Sequence, residues 1–217
     1  MARLQDKSRA IHLRLQGMSF GEIKALIGVS KGTLSGWLRN YPLTDEQILR
    51  LKNEKHKHVE KIRNTKTKNR QIKLRQIYER AVEKVGKMSD RDIFIAGLFL
   101  YWGEGGKTGG IICMSNTDPG VLKLHLRWLK VLGVDQEKLR IVLHLYADMD
   151  TETQTNYWSK ELGVSKSQFR KPYVKKSNLL GLSYKNGFGQ GTCMIRYFNV
   201  ELFNFVMESI RYIKENL

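Results

Sequence analysis

The sequence predicts an α+β protein with an N-terminal three-helix domain, a basic helical segment and a larger C-terminal α/β domain. Three observations predict this organisation. Short amphipathic helices with clear caps fill the first 43 residues, a long stretch without proline follows, and strand-like alternation occurs only after residue 89. We therefore place the domains at 1–43, 44–88 and 89–217. The hydrophobic fraction of 41% allows a real core.

The net charge of +17 is concentrated in the middle of the chain. Residues 50–87 hold 14 Lys and Arg against 4 Asp and Glu, about +10, whereas 1–49 carry about +3 and 88–217 about +4. A field of this sign attracts polyanions. Charge alone does not show whether the polyanion is DNA, RNA or an anionic membrane, so the sequence motifs are needed to distinguish these partners.

A helix-turn-helix pattern occupies residues 19–39. Ser19 and Glu22 have the spacing of a capping box, the segment Gly28–Ser30 supplies a left-handed turn, an apolar plug and a new N-cap, and a helix follows over Lys31–Arg39. The pattern resembles the helix-turn-helix of many bacterial repressors and recombinases. The alternative is a plain three-helix bundle.

In this motif the first residues of the second helix meet base edges in the major groove. Three of the residues at that position are small, which lets the helix lie close to the groove floor. Arg39, further along, is expected to meet phosphate. The predicted DNA-binding residues of this domain are Lys31, Gly32, Thr33, Ser35, Gly36 and Arg39.

The middle segment is predicted to be helical: Thr44 can cap a helix that begins at Asp45, and the run from there to about Lys87 has no proline and no glycine before Gly86. Its first half has few apolar residues and is either a solvated helix or a segment that becomes ordered on DNA; beside a helix-turn-helix we favour phosphate contact. Its second half carries an apolar stripe at helical spacing and is expected to dock on another surface. The stripe comprises Leu74, Ile77, Tyr78, Ala81, Val82 and Val85.

The C-terminal domain is predicted to begin with an apolar helix that is buried on all sides. Ala96 and Gly97 in its middle allow another backbone to approach closely. Glu104 lies at the end of this helix between glycines, where the helix dipole disfavours an unpaired anion. A divalent cation would stabilise this carboxylate; hydrogen bonds to the glycine-rich turn are the alternative.

Four strands and three further helices complete this domain. In the second strand, Leu139, Ile141, Leu143 and Leu145 alternate with polar residues, so one face belongs to the core and the other presents Arg140, His144 and Tyr146. The predicted strands are 110–116, 138–146, 168–175 and 192–199, and the predicted helices are 119–132, 151–162 and 200–216, with a loop between the last two strands.

The residues Ile95–Phe99 and Gly103–Gly105 resemble the LAGLIDADG motif of homing endonucleases, and the order of elements over 89–217 is broadly similar. The resemblance implies a mostly antiparallel, saddle-shaped sheet in the major groove and a homodimer packed through Ala96 and Gly97. It implies phosphodiester hydrolysis with Glu104 as catalytic residue and ligand of Mg²⁺ or Mn²⁺. The basic residues expected to contact DNA from this domain are Lys107, Arg140, His144, Arg170, Lys175 and Arg196.

Together these features predict a sequence-specific double-stranded DNA-binding protein. We expect a metal-dependent endonuclease of the LAGLIDADG type or, as the alternative, a helix-turn-helix transcription regulator on the same fold that does not cut. An RNA-binding accessory protein is less favoured because no RNA-recognition aromatic motif is found.

The remaining expectations concern the compartment and other partners. Cys113 and Cys193 are expected to be free thiols in a reducing cytoplasm, with the protein at the nucleoid. No apolar stretch reaches about 18 residues, so no membrane span is expected. No small-molecule substrate is expected either.

Overall fold

The computed structural model describes residues 4–175 and 189–217. The chain is α+β and divides into two compact units, Met1–Gly86 and Lys87–Leu217. The basic segment predicted as a separate part therefore lies in the first unit, apart from its last two residues. The loop predicted between the third and fourth strands falls largely within 176–188, outside the described residues.

The first unit is helical. Its helices are α1 (Leu4–Leu15), α2 (Phe20–Ile27), α3 (Lys31–Trp37), α4 (Asp45–Arg50) and α5 (Glu54–Val85). Helices α1, α2 and α3 share a small core in which Ala10, Phe20, Ile23, Val29, Leu34 and Leu38 are buried.

The caps around α2 and α3 follow the predicted chemistry. Ser19 and Glu22 form both hydrogen bonds of a capping box. Gly28 has φ of 75°, the left-handed conformation that ends α2, and the Ser30 side chain caps α3. Two details differ from the prediction: Leu26 is exposed, and α3 ends at Trp37 because Leu38 leaves the helical conformation.

The basic segment, predicted to be helical, forms two helices, α4 and α5, with a short break between them. The chain leaves the helical conformation at Leu51, whose side chain is buried with Leu43 and Ile48. The Asn53 side chain then accepts a hydrogen bond from the backbone of His56 and begins α5. Burial of Leu51 and a second N-cap thus turn the chain between two helices.

The predicted apolar stripe of α5 is exposed. Tyr78 and Val85 retain more than two thirds of their accessible surface, and Leu74 about half.

The second unit is built on a mixed four-stranded sheet. Its strands are β1 (Ile111–Asn116), β2 (Arg140–Tyr146), β3 (Tyr173–Lys175) and β4 (Thr192–Phe198), in the order β1-β4-β2-β3. Strand β4 is antiparallel to β1 and β2, whereas β3 is parallel to β2. The helices are α6 (Asp90–Glu104), α7 (Pro119–Val131), α8 (Thr151–Leu162) and α9 (Val200–Glu215), with 3-10 turns at Gln136–Lys138 and Lys166–Gln168.

The alternation predicted for β2 is confirmed, since Leu139, Ile141, Leu143 and Leu145 are buried and the intervening residues are half-buried. The third strand begins at Tyr173 and not at Gln168, because a 3-10 turn and Pro172 precede it. Cys113 and Cys193 are free thiols, the first half-buried and the second buried. In the described ranges, every helix is too short or too polar to cross a membrane.

The prediction that α6 is buried on all sides is wrong. Ile93, Gly97, Leu98 and Tyr101 are buried against the core, but Phe99 keeps 46% of its surface accessible. Helix α6 packs against α7 and α9, so only part of its circumference is covered.

His125 is a buried polar residue in this core. Its ring is fully buried near the rings of Tyr101 and Trp128, and neither ring nitrogen has a hydrogen-bond partner in the described part of the chain. Burial lowers the pKa of His125 to about 3. The imidazole is therefore neutral in the folded protein at any pH above that value.

We predict that His125 makes the second unit labile to acid. Between about pH 6.5 and pH 3 the unfolded chain binds a proton that the folded chain does not. The free energy of unfolding therefore decreases by about 1.4 kcal/mol for each unit by which the pH is lowered. His125→Leu removes this contribution. The free energy of unfolding at pH 7 and pH 4.5, followed by hydrogen exchange in peptides from 87–217, measures it. The same pH dependence in both proteins would contradict the prediction.

Candidate nucleic-acid interface

The outward face of α3 carries several small side chains. Lys31, Gly32, Ser35 and Gly36 are exposed, and Arg39 is exposed just beyond the helix. Thr33 is half-buried, and its hydroxyl lies 2.9 Å from the Ser30 hydroxyl at the N-cap. Five of the six predicted DNA-binding residues of this domain therefore share one accessible surface, and Thr33 is partly occupied by the cap.

The two exposed glycines of α3 are not required by the packing of the chain. A Cβ added to Gly36 would meet nothing within 4 Å, and one added to Gly32 would come only to 3.7 Å from the Ser30 hydroxyl. Neither residue has positive φ. Glycine within a helix costs about 0.5–1 kcal/mol relative to alanine. Their presence on the exposed face is consistent with close approach of an external surface.

A buried ion pair joins α5 to α1. The Arg14 guanidinium donates to the Glu60 carboxylate at 2.8 Å, and both side chains are at most 2% exposed. Arg63, one turn along α5, donates to the other carboxylate oxygen at 2.5 Å. Both guanidinium groups also lie over the Phe20 ring, at 4.7 and 3.8 Å from its centroid. One carboxylate thus organises α1, α5 and the start of α2.

The pKa directions of this network follow from burial and pairing. Burial acts to raise the pKa of Glu60, but hydrogen bonds from Arg14 and Arg63 outweigh it and hold the pKa below the usual glutamate value. Burial lowers the pKa of Arg14. The carboxylate is charged in the folded protein, so the pair is ionic.

Further contacts hold α5 beside the three-helix core. The His56 ring lies 3.0 Å from the Ser19 hydroxyl through Nδ1. The Asn64 side chain donates to the Leu43 carbonyl at 2.9 Å. The first half of α5 is therefore a rigid part of the first unit and not a free linker.

The basic charge of α5 remains accessible. Between residues 61 and 75 the chain has seven Lys and Arg and no Asp or Glu. All seven are exposed except Arg63, which is half-buried: Lys61, Arg63, Lys66, Lys68, Arg70, Lys73 and Arg75. A surface of this kind contacts phosphate groups well.

In the second unit, the sheet face opposite the core presents two arginines directly opposite each other. Arg140 on β2 is paired in register with Arg196 on β4. In the described ranges, neither guanidinium has a carboxylate partner: Arg140 donates to the Glu137 and Leu139 carbonyls, and Arg196 to the Met194 sulfur. Like charges at opposed positions destabilise a sheet, and an anion would relieve this.

The other predicted DNA-binding residues of this unit are more scattered. His144 and Lys175 share the sheet face of Arg140, by the registers of β2 with β3. Arg170 is exposed beside β2, where its backbone N–H donates to the Ile141 carbonyl. The Lys107 ammonium donates to the Gly105 carbonyl next to β1.

Glu104 is exposed at the end of α6. No hydrogen bond or ion pair with another described residue reaches its carboxylate. The described residues contain no group of three or more His, Cys, Asp or Glu side chains that could hold a metal ion.

The two small residues of α6 have different surroundings. A Cβ on Gly97 would lie 2.0 Å from the Trp128 ring, so this glycine admits α7 of the same chain. Ala96 is half-buried and lies on the side of α6 that includes the exposed Phe99.

Sequence analysis did not identify Ser19, Lys55, His56, Glu60 or Arg63 as parts of a site. One feature of the sequence pointed to Glu60: it is the only acid between residues 55 and 75. A lone carboxylate in so basic a run indicates a buried partner. That the partner is Arg14, 46 positions earlier, follows only from the fold.

No protein-family model, no curated protein and no solved structure matches this chain. The function of this chain is therefore inferred from the surfaces of its described residues.

We predict that Glu60→Gln destabilises the first unit by about 3 kcal/mol or more, because it leaves a buried guanidinium without its counter-ion. Chemical denaturation with hydrogen exchange in peptides from 1–86 measures the loss. The control is Glu54→Gln, which removes an exposed ion pair with Lys57 and is expected to cost less than about 1 kcal/mol.

A second comparison tests whether charge pairing is the cause. Replacing both partners, as Arg14→Met with Glu60→Leu, is expected to recover much of the lost stability. Equal losses in Glu60→Gln and Glu54→Gln would contradict the prediction.

Proposed function

We propose that this chain is a sequence-specific double-stranded DNA-binding protein that places α3 in the major groove. The observation that carries the proposal is the outward face of α3, where two glycines that the fold does not need lie between Lys31 and Arg39. A helix enters the major groove side-on, and small residues on that side let polar neighbours reach base edges. Ser35 supplies a hydroxyl group that suits such contacts, whereas the Thr33 hydroxyl lies at the N-cap beside Ser30.

The basic face of α5 supports the same proposal. Contacts to phosphate supply most of the affinity for DNA without regard to sequence, and they position the reading element. Because Glu60 holds α5 on the same unit as α3, the cations of α5 have a constant geometry relative to the reading helix. In the second unit, the opposed Arg140 and Arg196 offer a further phosphate contact.

We propose a homodimer packed through the open side of α6, as the LAGLIDADG resemblance implies. Its support is an apolar surface in which Phe99 is exposed and stacks on Trp102 at 6.0 Å, with Ala96 one turn earlier. Gly97 is not part of this proposal, because Trp128 of its own chain fills the space beside it.

DNA cleavage is a second candidate function. Its support is the exposed carboxylate of Glu104 at the negative end of the α6 dipole, a position that attracts a cation. Since the described residues of one chain bring no group of three or more metal-ligating side chains to Glu104, we propose that a second copy supplies its own carboxylate for cleavage. A transcription regulator that binds without cutting needs only the first unit's surfaces.

We predict that Gly36→Gln separates binding from folding. The added side chain has open space, so the free energy of unfolding is expected to stay the same or rise by up to about 1 kcal/mol. DNA affinity is expected to fall at least about tenfold, because the side chain keeps α3 from the groove floor. Fluorescence anisotropy with a labelled duplex selected from a random pool measures it.

The control for this experiment is Ala25→Gln, at an exposed position of α2. It adds a similar side chain to the same unit and is expected to leave affinity unchanged. Unaltered binding by Gly36→Gln would refute the placement of α3 in the groove.

A plasmid assay decides between cleavage and binding alone. If the chain is an endonuclease, supercoiled DNA is cut with Mg²⁺ or Mn²⁺, and Glu104→Gln slows cutting by at least about 100-fold. Glu137→Gln, at an exposed position elsewhere in the unit, is the matched control. Cutting that survives Glu104→Gln would exclude a role for this carboxylate, and tight binding without cutting would identify a regulator.

A further inference from the structure

A cavity of about 190 Å³ opens where the first turns of α2 and α3 face α5. Its lining includes Ser19, Gly21, Lys31, Lys55, His56 and Arg63. A water molecule takes up about 30 Å³ of liquid, so the space accommodates a group the size of phosphate. The lining comes from three separate helices of one unit, and Glu60 links two of them, α2 and α5.

The charge of the lining favours an anion. Lys31, Lys55 and Arg63 are cations, and Glu60 is the one carboxylate. That carboxylate is already bound by Arg14 and Arg63. Lys31 and Lys55 are exposed and have no acidic partner in the described part of the chain. Two lysine charges are therefore left uncompensated at the cavity.

The backbone donors at the start of α2 are already bound by acids, since the Ser19 N–H donates to Glu22 and the Phe20 N–H donates to Glu60. The first turn of α2 begins at Ser19, where the positive end of the helix dipole lies. A Cβ on Gly21 would come within 2.4 Å of the His56 ring, so the imidazole lies directly against this turn. The ring and the Ser19 hydroxyl are hydrogen-bonded to each other, so the exposed Lys31 and Lys55 ammonium groups are the donors that an anion would meet.

We propose that this cavity binds one backbone phosphate of the DNA duplex, held jointly by Lys31 of α3 and Lys55 of α5. The proposal rests on the proposed DNA-binding function and deepens it. It moves Lys31 from base recognition, as predicted from the sequence, to phosphate binding. A phosphate bound by both helices sets the register of α3 in the groove, because phosphate contacts position a reading helix and base contacts specify the sequence.

The test is a double-mutant cycle on the salt dependence of DNA binding. The proteins are the full chain, Lys31→Gln, Lys55→Gln and the double variant, each titrated with a random 30-base-pair duplex over a series of salt concentrations. Losing one phosphate contact lowers the slope of log affinity against log salt by about 0.9. We expect the double variant to lose about 0.9 in total, and the two single effects on affinity to be less than additive.

Lys84→Gln is the matched control. It lies on α5, 29 positions from Lys55 and so roughly 44 Å along the helix. Its effect is expected to add to that of Lys55→Gln, because residues so far apart cannot share a phosphate. All of these lysines are exposed, so the variants are expected to fold, which circular dichroism and thermal unfolding verify.

Each other outcome overturns the inference in a distinguishable way. A loss of about 1.8 in the double variant would mean two separate phosphates, and an unchanged slope would mean that the cavity does not face DNA. No binding of the duplex by the unmodified chain would refute the proposed function itself. Inorganic phosphate at constant ionic strength is expected not to compete. Competition confined to the unmodified chain would assign the cavity to free phosphate.

Discussion

The buried carboxylate of Glu60 is the constraint on which the first unit depends. Burying a charge is costly unless it is paired and hydrogen-bonded, and Glu60 meets this condition through Arg14, Arg63 and the start of α2. An apolar contact would tolerate sliding along α5, whereas this network is satisfied in one register only. The ion pair therefore fixes the position of the basic helix α5 against α1 and α2, within the unit that contains α3.

The fixed position of α5 determines where the positive charges of the first unit lie. The net charge of residues 50–87 alone would describe a nonspecific polyanion binder. Once α5 is held against α1 and α2, its cations and the glycine face of α3 belong to one compact unit. Attraction to phosphate and access to base edges are then geometrically linked, and sequence-specific binding requires that link.

The second unit follows a different principle. Its sheet has one buried apolar face, while the other presents Arg140 and Arg196 side by side. In this unit the apolar core stabilises the fold, and the opposite sheet face holds like charges at a modest cost in stability. On the open side of α6, Phe99 is exposed. The Glu104 carboxylate at the end of α6 is exposed as well, without a partner among the described residues.

The sequence by itself determined the elements whose cause is local. Caps at Ser19, Ser30 and Thr44 follow from hydrogen bonds three residues away, and the strand faces follow from a period of two. The exposed face of α3 was predictable for the same reason. Tertiary structure decided what depends on distant partners: the Glu60–Arg14 pair and the Gly97–Trp128 contact. It also divided the basic segment into two helices at Leu51, because burial of that side chain outweighed local helix propensity.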